Sequence, residues 1–194
     1  MDNLWFYVTL GLDHVLDFSA YDHILFLTAL TLPFTFKNWK NVLLLATVFT
    51  IAHCTSLVFS VFEVVVMDVT FIEFLIPVTI FITVIFNLLY AKTQQQQKSI
   101  LLLVIATSFF GLIHGFGFSN YFKMLMAGEE EKITPLFGFA FGIEFSQIII
   151  VLSVLAIAFS VQTWLHVKQR YFVIIGSIAA LLITIPMLIN TFPW

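Results

Sequence analysis

Six apolar stretches, near residues 22–36, 41–62, 70–91, 99–122, 134–163 and 171–191, constrain this chain more than any other feature. Crossing a bilayer core of ~30 Å as an α-helix takes about 20 mostly apolar residues, and five of the six stretches reach that length. The composition leaves no competing architecture. The 194 residues are 61% hydrophobic and 10% charged, with 24 phenylalanines. A soluble domain carries about 25% charged residues to cover its surface, so this surface must face lipid. The expected fold is all-α: a single transmembrane domain over 1–194, a polytopic bundle of six helices.

The first stretch is short for a crossing. Ahead of it, residues 4–18 (LWFYVTLGLDHVLDF) are too short and too charged to span alone. They read as an interfacial or half-embedded helix, broken from the next around Ser19-Ala20. The fifth stretch is longer than a bilayer needs and must tilt or project. No basic region opens the N-terminus, so no cleavable signal peptide is expected. No internal repeat is expected either, and Gln94 to Gln97 read as a solvated linker.

Orientation follows from the cations. Lys37 and Lys40, Lys92 and Lys98, and Lys168 and Arg170 fall in alternate connections, leaving Lys123 and Lys132 with Asp2, Glu63, Asp68 and Glu129 to Glu131 opposite. Cytoplasmic loops are the Lys/Arg-rich ones, so both termini are expected outside. Trp5, Trp39, Trp164 and Trp194 all fall near the ends of the stretches, as interfacial aromatics do. A net charge of −3 gives no basis for binding nucleic acid. Cys54 is the only cysteine, which excludes an intramolecular disulfide and a cysteine-based metal site.

The chemistry lies in ionisable residues that apolar spans should not contain. These are His53, Glu73, His114 and Glu144, with Asp22 and His23 opening the first stretch and Asp13, His14 and Asp17 just ahead. Each intramembrane charge costs ~2.5–3.5 kcal/mol on insertion scales, roughly 10 kcal/mol for four left unpaired. A bound cation or mutual pairing would offset that. At ~1.5 Å rise per residue, His53 lies about 18 Å from the inner end of its span and His114 about 22 Å. Glu144 lies about 15 Å from the outer side and Glu73 within one turn of it, so the set describes a cup open outward.

Imidazole and carboxylate without thiolate suit Ni²⁺, Co²⁺ or Zn²⁺. The candidate metal ligands are His14, Asp22, His23, His53, Glu73, His114 and Glu144. Thr50, one turn from His53, and Gln147, one turn from Glu144, are candidate supporting partners. Asp13 and Asp17 read better as solvated interfacial charges, Cys54 as core, and Asn87 as a bond between helices. A lone intramembrane His is more often a packing hydrogen bond than a ligand; two His and two Glu on four spans, all at outer-half depth, favour a site.

The segments GLDHVLDFSAYDHILFL, TVFTIAHCTSL, VTFIEFLIPVTI, FFGLIHGFGFSNYF and FGFAFGIEFSQ resemble, in order and spacing, the HupE/UreJ membrane proteins, particularly the Bacteroidota-type branch. The resemblance covers nearly the whole chain. It implies nickel or cobalt uptake across a bacterial inner membrane, in a family associated with hydrogenase and urease maturation. The better-studied branch separates its His from Asp-His by five residues, whereas seven separate His14 from Asp22 here. Aligning that branch's later motif on His114 matches Phe109, Gly111 and Gly115, but sets Phe110 and Gly117 where that branch has His and Glu.

Two functions from different classes follow. One is a metal permease whose partners are a divalent ion and the bilayer; a homo-oligomer is compatible with it. The other is a zinc-dependent intramembrane hydrolase or transferase, with His23, His53 and His114 on the ion and Glu73 or Glu144 as general base. A metal-sensing or assembly role has no distinctive mark in the sequence.

Overall fold

A backbone in hydrocarbon can satisfy its N–H and C=O groups only along its own helix or in a closed barrel, and this chain takes the first course. The computed structural model describes residues 2–93, 99–128 and 131–193. Gln94–Gln97, Lys98, Glu129, Glu130 and Trp194 lie outside the described residues. Among the described residues there are seven α-helices, two short 3-10 turns and no strand. The helices are α1 (Asp2–Leu16), α2 (Asp22–Thr31), α3 (Trp39–Val61), α4 (Val69–Thr93), α5 (Ile100–Leu125), α6 (Ile133–Trp164) and α7 (Gln169–Asn190).

Helices α3 to α7 are long and apolar enough to cross a membrane. Two of their starts are marked by local chemistry. Asp68 accepts the Thr70 N–H at 2.9 Å ahead of α4, and Glu131 accepts those of Ile133 and Thr134 at 2.7 and 3.0 Å at the head of α6. Carboxylates there satisfy otherwise unbonded N–H groups and favour the positive helix end.

Helices α1 and α2 have 15 and 10 residues. At ~1.5 Å per residue neither crosses ~30 Å, but together they do. Their packing makes them one broken crossing. Leu4 carbonyl abuts Gly138, Val8 carbonyl abuts Gly142, and Ser146 Oγ donates to the Leu12 carbonyl at 3.3 Å, so α1 runs parallel to α6. Helix α2 continues in that direction. Asn87 Nδ2 donates to the Ala29 carbonyl at 2.7 Å, and Gln169 Nε2, at the far end of the bundle, donates to the Leu32 carbonyl at 2.9 Å. The expected helix over 22–36 is therefore the second half of a crossing whose first half is the segment over 4–18.

One end of the bundle carries the start of α1, the end of α7, the α3–α4 connection, the end of α5 and the start of α6; the other carries Lys37, Lys40, Lys168 and Arg170. At the terminus end Lys123 Nζ lies 3.3 Å from Glu63, and Lys132 sits over the Phe62 ring.

Two helix pairs are drawn together by glycine. A Cβ built on Gly142 would lie 2.1 Å from the Val8 carbonyl oxygen, and one on Gly115 would lie 2.2 Å from that of His53. Both glycines belong to the same pattern, Phe-Gly-x3-Gly-x2-Phe-Ser, at 110–119 in α5 and again at 137–146 in α6. In each copy the glycines meet carbonyls one turn apart on a parallel partner: Phe49 and His53 of α3, Leu4 and Val8 of α1. Because α5 and α6 are antiparallel, the copies are inverted. The two ten-residue copies share the same packing chemistry, a glycine pair seated on carbonyls of a parallel neighbour.

Candidate metal centre

The break between α1 and α2 creates the site. Helix α1 stops at Leu16, and Asp17 Oδ1 turns the chain by accepting from the Ser19 backbone N–H at 2.7 Å and its hydroxyl at 2.6 Å. Helix α2 restarts at Asp22. The last turn of α1 thus presents His14 beside His23 in the first turn of α2, with ring centroids 4.6 Å apart. From α3, His53 stands 5.6 Å from His14 and 5.5 Å from His23, and from α5, His114 stands 5.3 Å from His23. His23, His53 and His114 are buried.

Ligand atoms of His14, His23 and His53 all lie within 4.8 Å of one another. Nitrogens bound at ~2.0–2.1 Å to one tetrahedral ion would be about 3.4 Å apart, so a closure on the order of 1.4 Å converts the grouping into a coordination site.

Hydrogen bonds orient two of these rings. His23 Nδ1 lies 3.1 Å from Asp22 Oδ1, which also accepts the His23 backbone N–H at 2.9 Å. His114 Nδ1 lies 2.9 Å from the Phe110 carbonyl. Carbonyl and carboxylate oxygens only accept, so Nδ1 carries a proton in both rings, and in a neutral imidazole that leaves the Nε2 lone pair free. Those Nε2 atoms, His14 Nε2 and both nitrogens of His53 are buried without a hydrogen-bond partner. Each unsatisfied buried polar atom costs about 1–3 kcal/mol. A cation accepting these lone pairs removes that cost, so the donor set fits a transition metal.

Aromatic rings flank the cluster on both sides. Phe26, Phe49 and Phe110 each lie one turn from His23, His53 and His114, respectively, toward the basic end. Phe26 stacks on Phe49 at 5.0 Å, edges Phe110 at 5.9 Å, and both Phe26 and Phe49 contact His114. On the other side Phe118 lies 3.9 Å from the His14 ring and stacks on Phe139 at 5.2 Å. The sequence reading missed these layers, though a phenylalanine one helical turn from each of three histidines was visible in it.

The structure brings His14, Asp22, His23, His53 and His114 together and leaves the two glutamates elsewhere. Glu73 is exposed on α4. Glu144 is half-buried against α3, where Thr47 Oγ1 donates to its Oε1 and Thr50 Oγ1 to its Oε2, both at 2.6 Å. Thr50 thus serves Glu144 rather than His53. Gln147 is fully buried, but neither of its amide atoms has a hydrogen-bond partner. Asn87 bonds between helices as expected, and Cys54 is a free, half-buried thiol.

Fold and site together define a polytopic α-helical membrane protein whose interior histidines could hold a metal ion. The chain belongs to the HupE/UreJ family: the family model described as HupE / UreJ protein matches residues 1–191. No curated protein and no solved structure matches the chain.

Proposed function

We propose that this protein is a permease for a divalent transition metal of the nickel or cobalt type, with both termini outside a bacterial inner membrane. The observation that carries the reading is the convergence of His14, His23 and His53 from three helices, within 4.8 Å, at a helix break inside the bundle. Broken membrane helices at such depth are a recurrent way to build ion sites, because the helix ends offer both dipole and unpaired carbonyls. Membership in a family linked to nickel and cobalt uptake agrees with it.

In this mechanism the ion loses its water to His14, His23 and His53, with His114 as the fourth imidazole and Asp22 holding His23 in the ligating tautomer. Neutral imidazoles suit nickel, cobalt and zinc alike. The Phe26–Phe49–Phe110 layer bars the way to the basic end, so release on that side requires those rings to part. A zinc-dependent hydrolase would need a carboxylate base facing the ion. Glu73 is exposed, Glu144 is bonded to two threonines, and Asp22 is engaged by His23, so the permease reading is preferred.

Uptake of radioactive Ni²⁺ or Co²⁺ by proteoliposomes tests the proposal, with elemental analysis of the purified protein beside it. Uptake and bound metal should both disappear in His53→Ala and His114→Ala. Uptake unchanged in both variants would remove the cluster from the pathway.

A further inference from the structure

An open cleft of about 790 Å³ lies between α1 and α5 and reaches the cluster through one residue, His14, which lines both. Its α1 wall carries Asp13 and Asp17, both exposed; its α5 wall is Phe118 and Tyr121, with Tyr121 one turn from the terminus end of α5. The segment from Asp17 to Tyr21 lies at the depth of the helix break, yet Phe18 is 85% exposed and its neighbours are exposed too. Non-helical backbone at that depth is tolerated only where protein or water covers it, since lipid cannot bond its N–H and C=O groups. Two carboxylates on the same surface make water the better cover.

We infer that this cleft is a water-filled entrance through which a hydrated divalent cation reaches the imidazoles from the terminus end. Asp13 and Asp17 draw the ion in, and His14 is the first ring that it meets. The inference rests on the metal-permease reading and adds the route and its electrostatic lining. Size allows it: six waters at about 30 Å³ each come to roughly 180 Å³, well within the cleft. The chemistry allows it as well, since paired carboxylates in a low-dielectric cleft raise local cation concentration and on-rates by ~10–10³-fold. Neither carboxylate touches the ion in its final position, so the effect belongs to association rather than to bound stoichiometry.

The test uses Co²⁺ and the full-length protein with Cys54→Ser, which removes the only native thiol. Leu10→Cys in the cleft wall and Tyr121→Cys at its rim are treated in proteoliposomes with a membrane-impermeant sulfonated thiol reagent. Both should react, and the attached group should slow Co²⁺ association about ten-fold while the equilibrium amount bound stays the same. Separately, the Asp13→Asn, Asp17→Asn double variant should lose about ten-fold in association rate at low salt and most of its salt dependence. Cysteines that stay unlabelled, or labelling and neutralisation that leave the association rate unchanged, would overturn the entrance while Co²⁺ binding by the parent protein upheld the site. A parent protein that binds no Co²⁺ would overturn the permease reading and this inference with it.

Discussion

His23 turns its Nδ1 to the carboxylate of Asp22, the residue just before it, at 3.1 Å, and the same oxygen receives the His23 backbone N–H. One carboxylate therefore fixes both the start of α2 and the face that the imidazole offers to a metal. Supporting partners of this kind typically contribute 10–100-fold to metal affinity. Asp22→Ala should weaken Ni²⁺ binding by that factor without changing the number of ions bound, as read by titration calorimetry. Unchanged affinity would mean that Asp22 only braces the first turn of α2.

His53 has two buried ring nitrogens and no hydrogen-bond partner for either. In the metal-free protein His53→Leu should therefore raise the thermal midpoint, since each orphaned polar atom costs about 1–3 kcal/mol. At ~2–4 °C per kcal/mol for a chain of this size, a rise of several degrees is expected. Ni²⁺ should stabilise the parent protein, by ~2.7 kcal/mol at a hundred times its Kd, and leave the variant unmoved. A variant that melts earlier without metal would show that His53 is satisfied by packing.

Gly142 and Gly176 should respond differently to alanine. The new Cβ at Gly142 meets backbone, the Val8 carbonyl oxygen at 2.1 Å, whereas at Gly176 it meets the end of the Leu32 side chain at 2.6 Å. Gly142→Ala must push α1 away from α6 and should cost at least the ~1–3 kcal/mol of an overpacked core. Gly176→Ala should stay within about 1 kcal/mol, because a leucine can change rotamer. Thermal unfolding in detergent ranks the two; equal stability would contradict the tight α1–α6 crossing.

Glu144 spends both oxygens on the hydroxyls of Thr47 and Thr50. Glu144→Gln replaces one acceptor with a donor and should destabilise by about 1.5–3 kcal/mol, the usual worth of a hydrogen bond to a charged group. The metal content of the purified protein should not change. Loss of metal in this variant would return Glu144 to the ligand set.

The long helices were legible because hydropathy reports length directly. The expected stretch over 41–62 is α3, Trp39–Val61, and that over 134–163 is α6, Ile133–Trp164. Depth was legible too, since rise per residue is constant, and it brought the histidines to a common level. Depth says nothing about direction around the helix axis. Glu144 shares a helix with Gly142 and Ser146, which face α1, but projects to the flank where α3 offers two threonines. Glu73 follows the same rule: its level suits the cup, but its side chain is exposed on α4. His14 is the converse case, carried by a segment too short to span that becomes half of a crossing only when α2 continues it.

The parallel alignment of α1 with α6 sets the order in which this protein can be completed. Ser146 is 134 residues beyond the Leu12 carbonyl that it bonds, so α1 must wait for α6 to be made. Contacts separated this far in sequence carry a loop-closure cost and form late. Until α6 arrives, α1 has no partner for its glycine face, and a nascent chain halted at α5 would lack a settled His14. Assembly of the histidine cluster is thus coupled to synthesis of the chain through α6.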